Sequence, residues 1–338
     1  MTEKKKKLLI ALIHETNRKW YEDLSKYAEV HWIADLSDDE LDSLLPSIDS
    51  ILVHPWHDRI TAARLQKMSK LNLVQCEIGS VNKIPLKDLD DKVVVCNNAG
   101  AYSKEVAEHA FALLLACAKR IVRFDNAIKS GGDKAETTRE RAKEMITLGD
   151  SSLGILGYGG IGKDAAKLGV GFGMKIHAYT RRENQREEGV EFHLGKDGLN
   201  TMLKECDALI LSLPLTNLTQ NMIGADELSL MKKNAIIVNV GRAELVDPKA
   251  LYEHLKNNPG FSYATDVWWN KDGKESFAPD LPFLSLSNFI GTPHIAGPSA
   301  FATGGAIKPA IDNLIRHFTG KKLLNVINRS EYTETDQT

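Results

Sequence analysis

The stretch SLGILGYGGIGKDAAKLGVGFGMKIHAYTRR, from Ser152 to Arg182, decides how this chain folds. It opens on a short apolar run, Ser152–Leu156, and turns on Gly157, Gly159 and Gly162 in G-x-G-x-x-G spacing. A helical segment follows at once, and a second apolar run, Lys175–Tyr179, closes the stretch. Each glycine has a task in such a turn: the first permits the tight bend, the second lets the backbone approach a pyrophosphate, and the third lets helix and strand pack closely. The helix N-terminus adds unpaired N–H donors and the positive end of its dipole. The spacing alone is a weak signal, but strand, turn, helix and strand together predict a dinucleotide site. The second strand ends in Thr180, Arg181 and Arg182, where a fold that takes NAD usually carries an acid about 20 residues after the first glycine. A hydroxyl and two guanidiniums suit a 2′-phosphate, which favours NADP(H). Two solvated arginines on a loop, with use of both NADP(H) and NAD(H), is the alternative.

The same rhythm extends in both directions. Downstream, Ala208–Leu213, Ala235–Val240, Tyr263–Asp266 and Phe289–Gly291 are strand-like runs separated by helical segments, six strands in all with the two above. Upstream, Leu8–Ile13, Ile51–Val53, Leu73–Cys76 and Val93–Cys96 predict a separate parallel sheet. Between them SKEVAEHAFALLLACAKRIVR, Ser103 to Arg123, reads as one long helix with Ser103 as N-cap and bases in its last turn. After Pro298 a helix from Phe301 to Thr319 leads into Leu323–Ile327, a closing strand or extended tail of the first domain. The fold class is therefore α/β, two doubly wound parallel-sheet domains of Rossmann-like and flavodoxin-like type. Residues 1–102 and 300–338 form one, and 103–299 the other. Gly131 to Arg141 reads as an exposed loop and the tail after Asn328 as frayed.

Composition agrees. At roughly 150 residues per domain, 338 residues with 43% hydrophobic side chains suffice for two cores. Lys+Arg 43 against Asp+Glu 45 leaves a net charge of −2, so no global field would hold a polyanion and free nucleic acid is an unsuited partner. Cys76, Cys96, Cys117 and Cys206 stand far apart without a C-x-x-C pair, which fits buried reduced thiols rather than a disulfide framework or a zinc site, and no metal is expected. The lysines at 4–7 lead into an apolar run too short to span a bilayer and without a cleavage site. The expectation is a soluble cytoplasmic protein without a membrane partner.

At this point the chain resembles the D-isomer-specific 2-hydroxyacid dehydrogenases over nearly its whole length. VAEHAFALLLACAKR, beginning at Val106, is similar to the family's interdomain helix, and GYGGIG to its cofactor turn. LILSLPLT, ending at Thr216, is similar to its pyrimidine-side loop, NAIIVNVGRAELVD to its arginine signature, and TPHIAG, Thr292 to Gly297, to its catalytic histidine segment. The resemblance implies an active-site cleft between two domains and a cofactor lying along Val106, Tyr158, Gly160 and Ile161 beside the three glycines, along Leu213 and Pro214, Val240 and Gly241, and Gly297. It implies Asp266 on the nicotinamide amide, Arg242 on the substrate, and His294 as the acid/base that exchanges a proton with the carbonyl oxygen. A planar fork of donors suits the coplanar carboxylate and carbonyl of a 2-oxo acid independently of the likeness. Ile78, Gly79 and Ser80 are implied to hold the substrate carboxylate. His54, in VHPWHD, either lines the pocket or forms a surface turn.

One departure stands out. The family's glutamate, five residues after the Asp of its DV motif, would fall on Lys271, a cation that cannot orient an imidazole; Asp272 or Glu275 would have to serve. Trp268 and Trp269 either wall the site or, for one of them, pack in the core or at a dimer contact. The leading reading is an oxidoreductase for a small 2-oxo acid of glyoxylate or hydroxypyruvate type and its D-2-hydroxy acid, acting as a homodimer. The alternatives are oxidation of another small anion, formate or phosphite, and a non-enzymatic dinucleotide-sensing corepressor.

Overall fold

A computed structural model describes residues 5–13, 17–131, 145–271, 274–277, 280–297 and 303–332. The chain divides into two compact units, Met1–Ala101 with Ala300–Thr338, and Tyr102–Ser299.

In the first unit, β1 (Lys6–Ala11), β2 (Ala28–Trp32), α1 (Asp38–Leu44), β3 (Ser50–Val53), α2 (Ala62–Lys67), β4 (Leu73–Cys76) and β5 (Val94–Cys96) build an all-parallel sheet of order β2-β1-β3-β4-β5. Side chains alternate across a strand, so β1 sends Leu9 and Ala11 to a core with Leu41, Leu45 and Leu65. Leu8 and Ile10 go to a core with Ile307, Ala310 and Leu314 of the final helix, Thr303–Phe318. Burial on both faces is why these strands read as continuous apolar runs. The helix α1 starts on a complete capping box: the Ser37 hydroxyl accepts from the Glu40 N–H, and the Glu40 carboxylate accepts from the Ser37 N–H. Leu323–Ile327 contributes only an isolated antiparallel bridge, Cys96 to Val326, so it is an extended tail rather than a strand.

The second unit begins with α3 (Ser103–Ala118) and α4 (Ile121–Lys129). Then follow β6 (Ser152–Leu156), α5 (Gly160–Gly171), β7 (Lys175–Tyr179), β8 (Val190–His193), α6 (Gly195–Glu205), β9 (Ala208–Leu211), α7 (Ala225–Leu230), β10 (Ile236–Asn239), α8 (Pro248–Asn257), β11 (Ser262–Thr265), a hairpin of β12 (Asn270–Lys271) and β13 (Lys274–Glu275), and β14 (Phe289–Gly291). The sheet is parallel throughout, in the order β14-β11-β10-β9-β6-β7-β8. Strand order reverses between β6 and β9, the topological switch point at whose carboxyl edge ligands of doubly wound sheets bind. Ala107, Ala110, Phe111 and Leu114 of α3 and Ala165 and Ala166 of α5 cover one face; Met202, Leu203, Leu251 and Leu255 of α6 and α8 cover the other.

The structure corrects several sequence expectations. The sheet has seven strands, not six, because β8 (VEFH) carries too many polar residues to read as an apolar run. The first sheet likewise gains β2. The long helix is two helices, broken where Arg120 adopts a left-handed conformation at φ 53°. That residue is buried and donates to the Ser262 hydroxyl at 2.6 Å and the Gly260 carbonyl at 2.9 Å, so tertiary contacts override the helical pattern. Ser103 is the first helical residue of α3 rather than its cap, which is Tyr102. The expected loop Gly131 to Arg141 lies, beyond Gly131, outside the described residues. All four cysteines are buried and unbridged, with the Cys117 and Cys206 thiols pushed up to about 12 by burial. Among the described residues no helix is long and apolar enough to cross a membrane.

Candidate active site

Because the second sheet is parallel, its strands deliver their following residues to one edge. Gly157 follows β6, Thr180–Arg182 follow β7, Leu213 and Pro214 come just after β9, Val240–Arg242 follow β10, Asp266 follows β11, and Thr292–Gly297 follow β14.

The glycine turn has the geometry that the three expected roles require. Gly157 sits at φ 101°, where a side chain is strained, and a β-carbon there would lie 3.1 Å from the Leu213 nitrogen. A β-carbon on Gly162 would collide with the Gly157 carbonyl oxygen, so α5 can approach β6 only without one. A β-carbon on Gly159, by contrast, would meet open space, the room a pyrophosphate needs over the N-terminus of α5. These residues fit a dinucleotide. The turn is tied to the next strand by the Ser212 hydroxyl, which donates to the Gly157 carbonyl at 2.9 Å. Gly160 and Ile161 form the first turn of α5. Val106 and Tyr158 are buried, the latter edge-on to Phe192 with centroids 5.1 Å apart.

The Thr180 hydroxyl accepts from the Arg182 N–H at 3.1 Å, which turns the chain and leaves Arg181 and Arg182 exposed. At β10 the fully buried Asn239 does the equivalent work: its amide donates to the Arg242 carbonyl at 2.8 Å and its oxygen accepts from the Gly241 N–H at 3.1 Å. Gly241 admits no side chain, since a β-carbon would lie 2.8 Å from the Leu213 carbonyl. Arg242 is half-buried and donates to the Gly241 carbonyl at 2.6 Å.

His294 stands exposed, at φ 55°, and its Nδ1 lies 2.6 Å from Glu275 Oε2. Of the two acids weighed for this contact, the structure brings Glu275 to the ring on β13, while Asp272 lies outside the described residues. Lys271, at the position the family gives to its glutamate, pairs with Asp280 at 2.8 Å instead.

The histidine segment is held by a network that the sequence did not reveal. Asp266, 1% exposed, accepts from the Thr292 hydroxyl at 2.6 Å and the Ile295 N–H at 3.0 Å through Oδ1, and from the Ala296 N–H at 2.8 Å through Oδ2. Its carboxylate thus clamps the loop that carries His294. His109 Nε2 on α3 reaches Thr292 Oγ1 at 2.9 Å, and the Trp268 indole donates to the Thr292 carbonyl at 2.8 Å. Trp268 is buried against Phe289, and Trp269 stacks on Phe283 at 5.0 Å. Both tryptophans therefore belong to the core, and Trp268 supports the site from behind. The signal for His109 was a lone histidine beside Glu108, just before the apolar run AFALLLACA, a pattern that by itself fits core packing as well as a latch. Gly297 lies beside Tyr102, its β-carbon position 3.6 Å from the ring.

In the first unit, the Ile78 carbonyl accepts from the Asn98 N–H and the Gly79 carbonyl from the Asn97 amide at 3.0 Å. Ser80 is buried, with its hydroxyl 2.9 Å from Asn82 Oδ1. His54 follows β3, and its Nδ1 lies 3.4 Å from the Trp56 N–H within the turn.

A doubly wound sheet with this glycine turn, an arginine after the fifth strand and a carboxylate-bound histidine after the last defines a dinucleotide-dependent oxidoreductase. Residues 111–296 match the NAD binding domain of the D-isomer specific 2-hydroxyacid dehydrogenases, and the chain belongs to that family. It is 34% identical over 286 residues to a glyoxylate reductase of Korarchaeum cryptofilum, covering 82% of each chain. It is 33% identical over 309 residues to a D-3-phosphoglycerate dehydrogenase of Methanocaldococcus jannaschii, which takes in 90% of this chain but only 56% of that longer protein. A solved structure of a Pyrococcus horikoshii protein, 27% identical, superposes with a TM-score of 0.78 over 96% of both chains.

Proposed function

We propose that the protein is an NADP(H)-preferring reductase that converts a small 2-oxo acid, of glyoxylate or hydroxypyruvate type, to its D-2-hydroxy acid. The carrying observation is the 2.6 Å contact between His294 Nδ1 and Glu275 Oε2 on the sheet edge that also bears the glycine turn and Arg242. The glycine turn, Leu213 and Val240 would hold the dinucleotide, whose reduced nicotinamide supplies a hydride. Arg242 orients the substrate's carboxylate and carbonyl in one plane. His294 in its doubly protonated form donates Nδ1–H to Glu275 and gives its Nε2 proton to the carbonyl oxygen as the hydride arrives, which leaves a neutral ring protonated on Nδ1. Glu275 is a positioning residue that fixes the ring's tautomer; Asp266 positions the loop beneath it. Arg181 and Arg182, with no acid at the end of β7, support the preference for a 2′-phosphate. Exposed Ile121 and Ile128 on α4 support a homodimer.

The test is loss of nicotinamide absorbance with NADPH or NADH across glyoxylate, hydroxypyruvate, pyruvate and a branched 2-oxo acid. Turnover is expected to be faster with NADPH, with kcat falling about 10²- to 10⁴-fold in His294→Ala and KM rising in Arg242→Ala. Tight NADPH binding without turnover of any acid would overturn the reading and favour a dinucleotide sensor.

A further inference from the structure

Away from that edge, β7 and β8 place two buried imidazoles side by side. In their parallel register His177 stands opposite Glu191 and Tyr179 opposite His193, so His177, Glu191 and His193 share one face of the sheet. The C-terminal residue of α6, Glu205, reaches the same spot. His177 Nδ1 lies 3.0 Å from His193 Nε2, 3.7 Å from Glu191 Oε2 and 3.6 Å from Glu205 Oε2, and His193 Nε2 lies 3.6 Å from Glu191 Oε1. One ligand atom from each of the four falls within 4.8 Å of all the others.

We propose that His177, His193, Glu191 and Glu205 form a binding site for a divalent transition-metal ion, best suited to zinc. Zinc bonds of about 2.0–2.2 Å in a tetrahedron set ligand-to-ligand edges of about 3.3–3.6 Å; the three histidine–glutamate separations of 3.6–3.7 Å are close to these, the 3.0 Å between the rings is shorter, and all four ligand atoms lie within 4.8 Å of one another. Two nitrogen and two carboxylate donors suit a borderline-soft ion, and neutral imidazoles with two carboxylates give the −2 charge that a divalent cation cancels. The carbonyl end of α6 points negative potential at the same place. Both imidazoles are more than nine-tenths buried, whereas the Glu191 and Glu205 side chains are 63% and 49% exposed and able to close on an ion from solvent. Without the ion, one imidazole N–H donates to the other ring. With the ion, both facing nitrogens give lone pairs and that proton moves to the far nitrogen of its own ring, so binding releases no proton. The ion would clip β8, the sheet's edge strand, to α6.

The test titrates the full-length, chelator-stripped protein with Zn²⁺, and with Co²⁺ for its visible absorption. The double variant Glu191→Gln/Glu205→Gln changes only exposed carboxylates and so leaves the fold intact, and His294→Ala controls for the His294–Glu275 pair. One Zn²⁺ per chain is expected, with a tetrahedral Co²⁺ spectrum and a Tm that rises with zinc. Affinity is expected to fall about 100-fold or more in the double variant and to stay unchanged in His294→Ala. Failure of the wild type to bind stoichiometrically, or equal binding by the double variant, overturns the proposal.

Discussion

Glu77, the residue after β4, keeps its Oε2 buried with no hydrogen-bond partner among the described residues, and burial pushes its carboxyl up to about 7. The native state therefore holds a proton that the unfolded chain, with a carboxylate near about 4.3, has already released. Stability is expected to fall as pH rises through that interval and to level off above about 7, the reverse of a salt-bridged acid. Denaturant midpoints at pH 5 and pH 8 check this: Glu77→Gln should shrink the difference between them, and an unchanged difference would remove Glu77 as its source. Single residues were legible in the sequence where chemistry is local, as with Arg242 after its strand. Glu275 was legible only as one of two candidates, because the β12–β13 hairpin decides which acid meets the ring. Asp266 is expected on the nicotinamide; to that the structure adds bonds from both its oxygens to the histidine loop, a role set by backbone N–H groups that no sequence pattern displays.

At the scale of elements, strands buried on both faces were readable as apolar runs, and the two overlooked strands share one physical reason. β2 (AEVHW) and β8 (VEFH) sit at sheet edges, where only one face is fully covered and charged residues are retained. The break at Arg120 was hidden because helical periodicity continues across it. The turn from β6 into α5 yields a paired expectation. Gly162→Ala forces a methyl onto the Gly157 carbonyl and should cost about 1–3 kcal/mol or more of stability. Gly159→Ala meets open space, so stability should move by less than about 1 kcal/mol while NADPH affinity drops by about tenfold or more. Thermal unfolding beside a fluorescence titration separates the two; equal loss of stability in both would mean that Gly159 also serves packing.

For the whole molecule, the second unit is an insertion in the first, leaving after Ala101 and returning at Ala300. It has cores on both faces of its own sheet, and its ends meet where Gly297 lies beside Tyr102. A fragment spanning Tyr102–Ser299 is expected to unfold cooperatively and to bind NADPH; a fragment without a thermal transition would refute its autonomy. The first unit is different. Leu8, Ile10, Leu52 and Leu73 share a core with Ile307, Ala310 and Leu314, and Asn313 donates to Gln75 at 2.7 Å in its interior. A ribosome makes these strands before the inserted unit and their covering helix after it, so the nascent sheet waits with one greasy face bare while the inserted unit is translated and folds. That face stays open to water or to a chaperone for as long as the inserted unit takes to emerge.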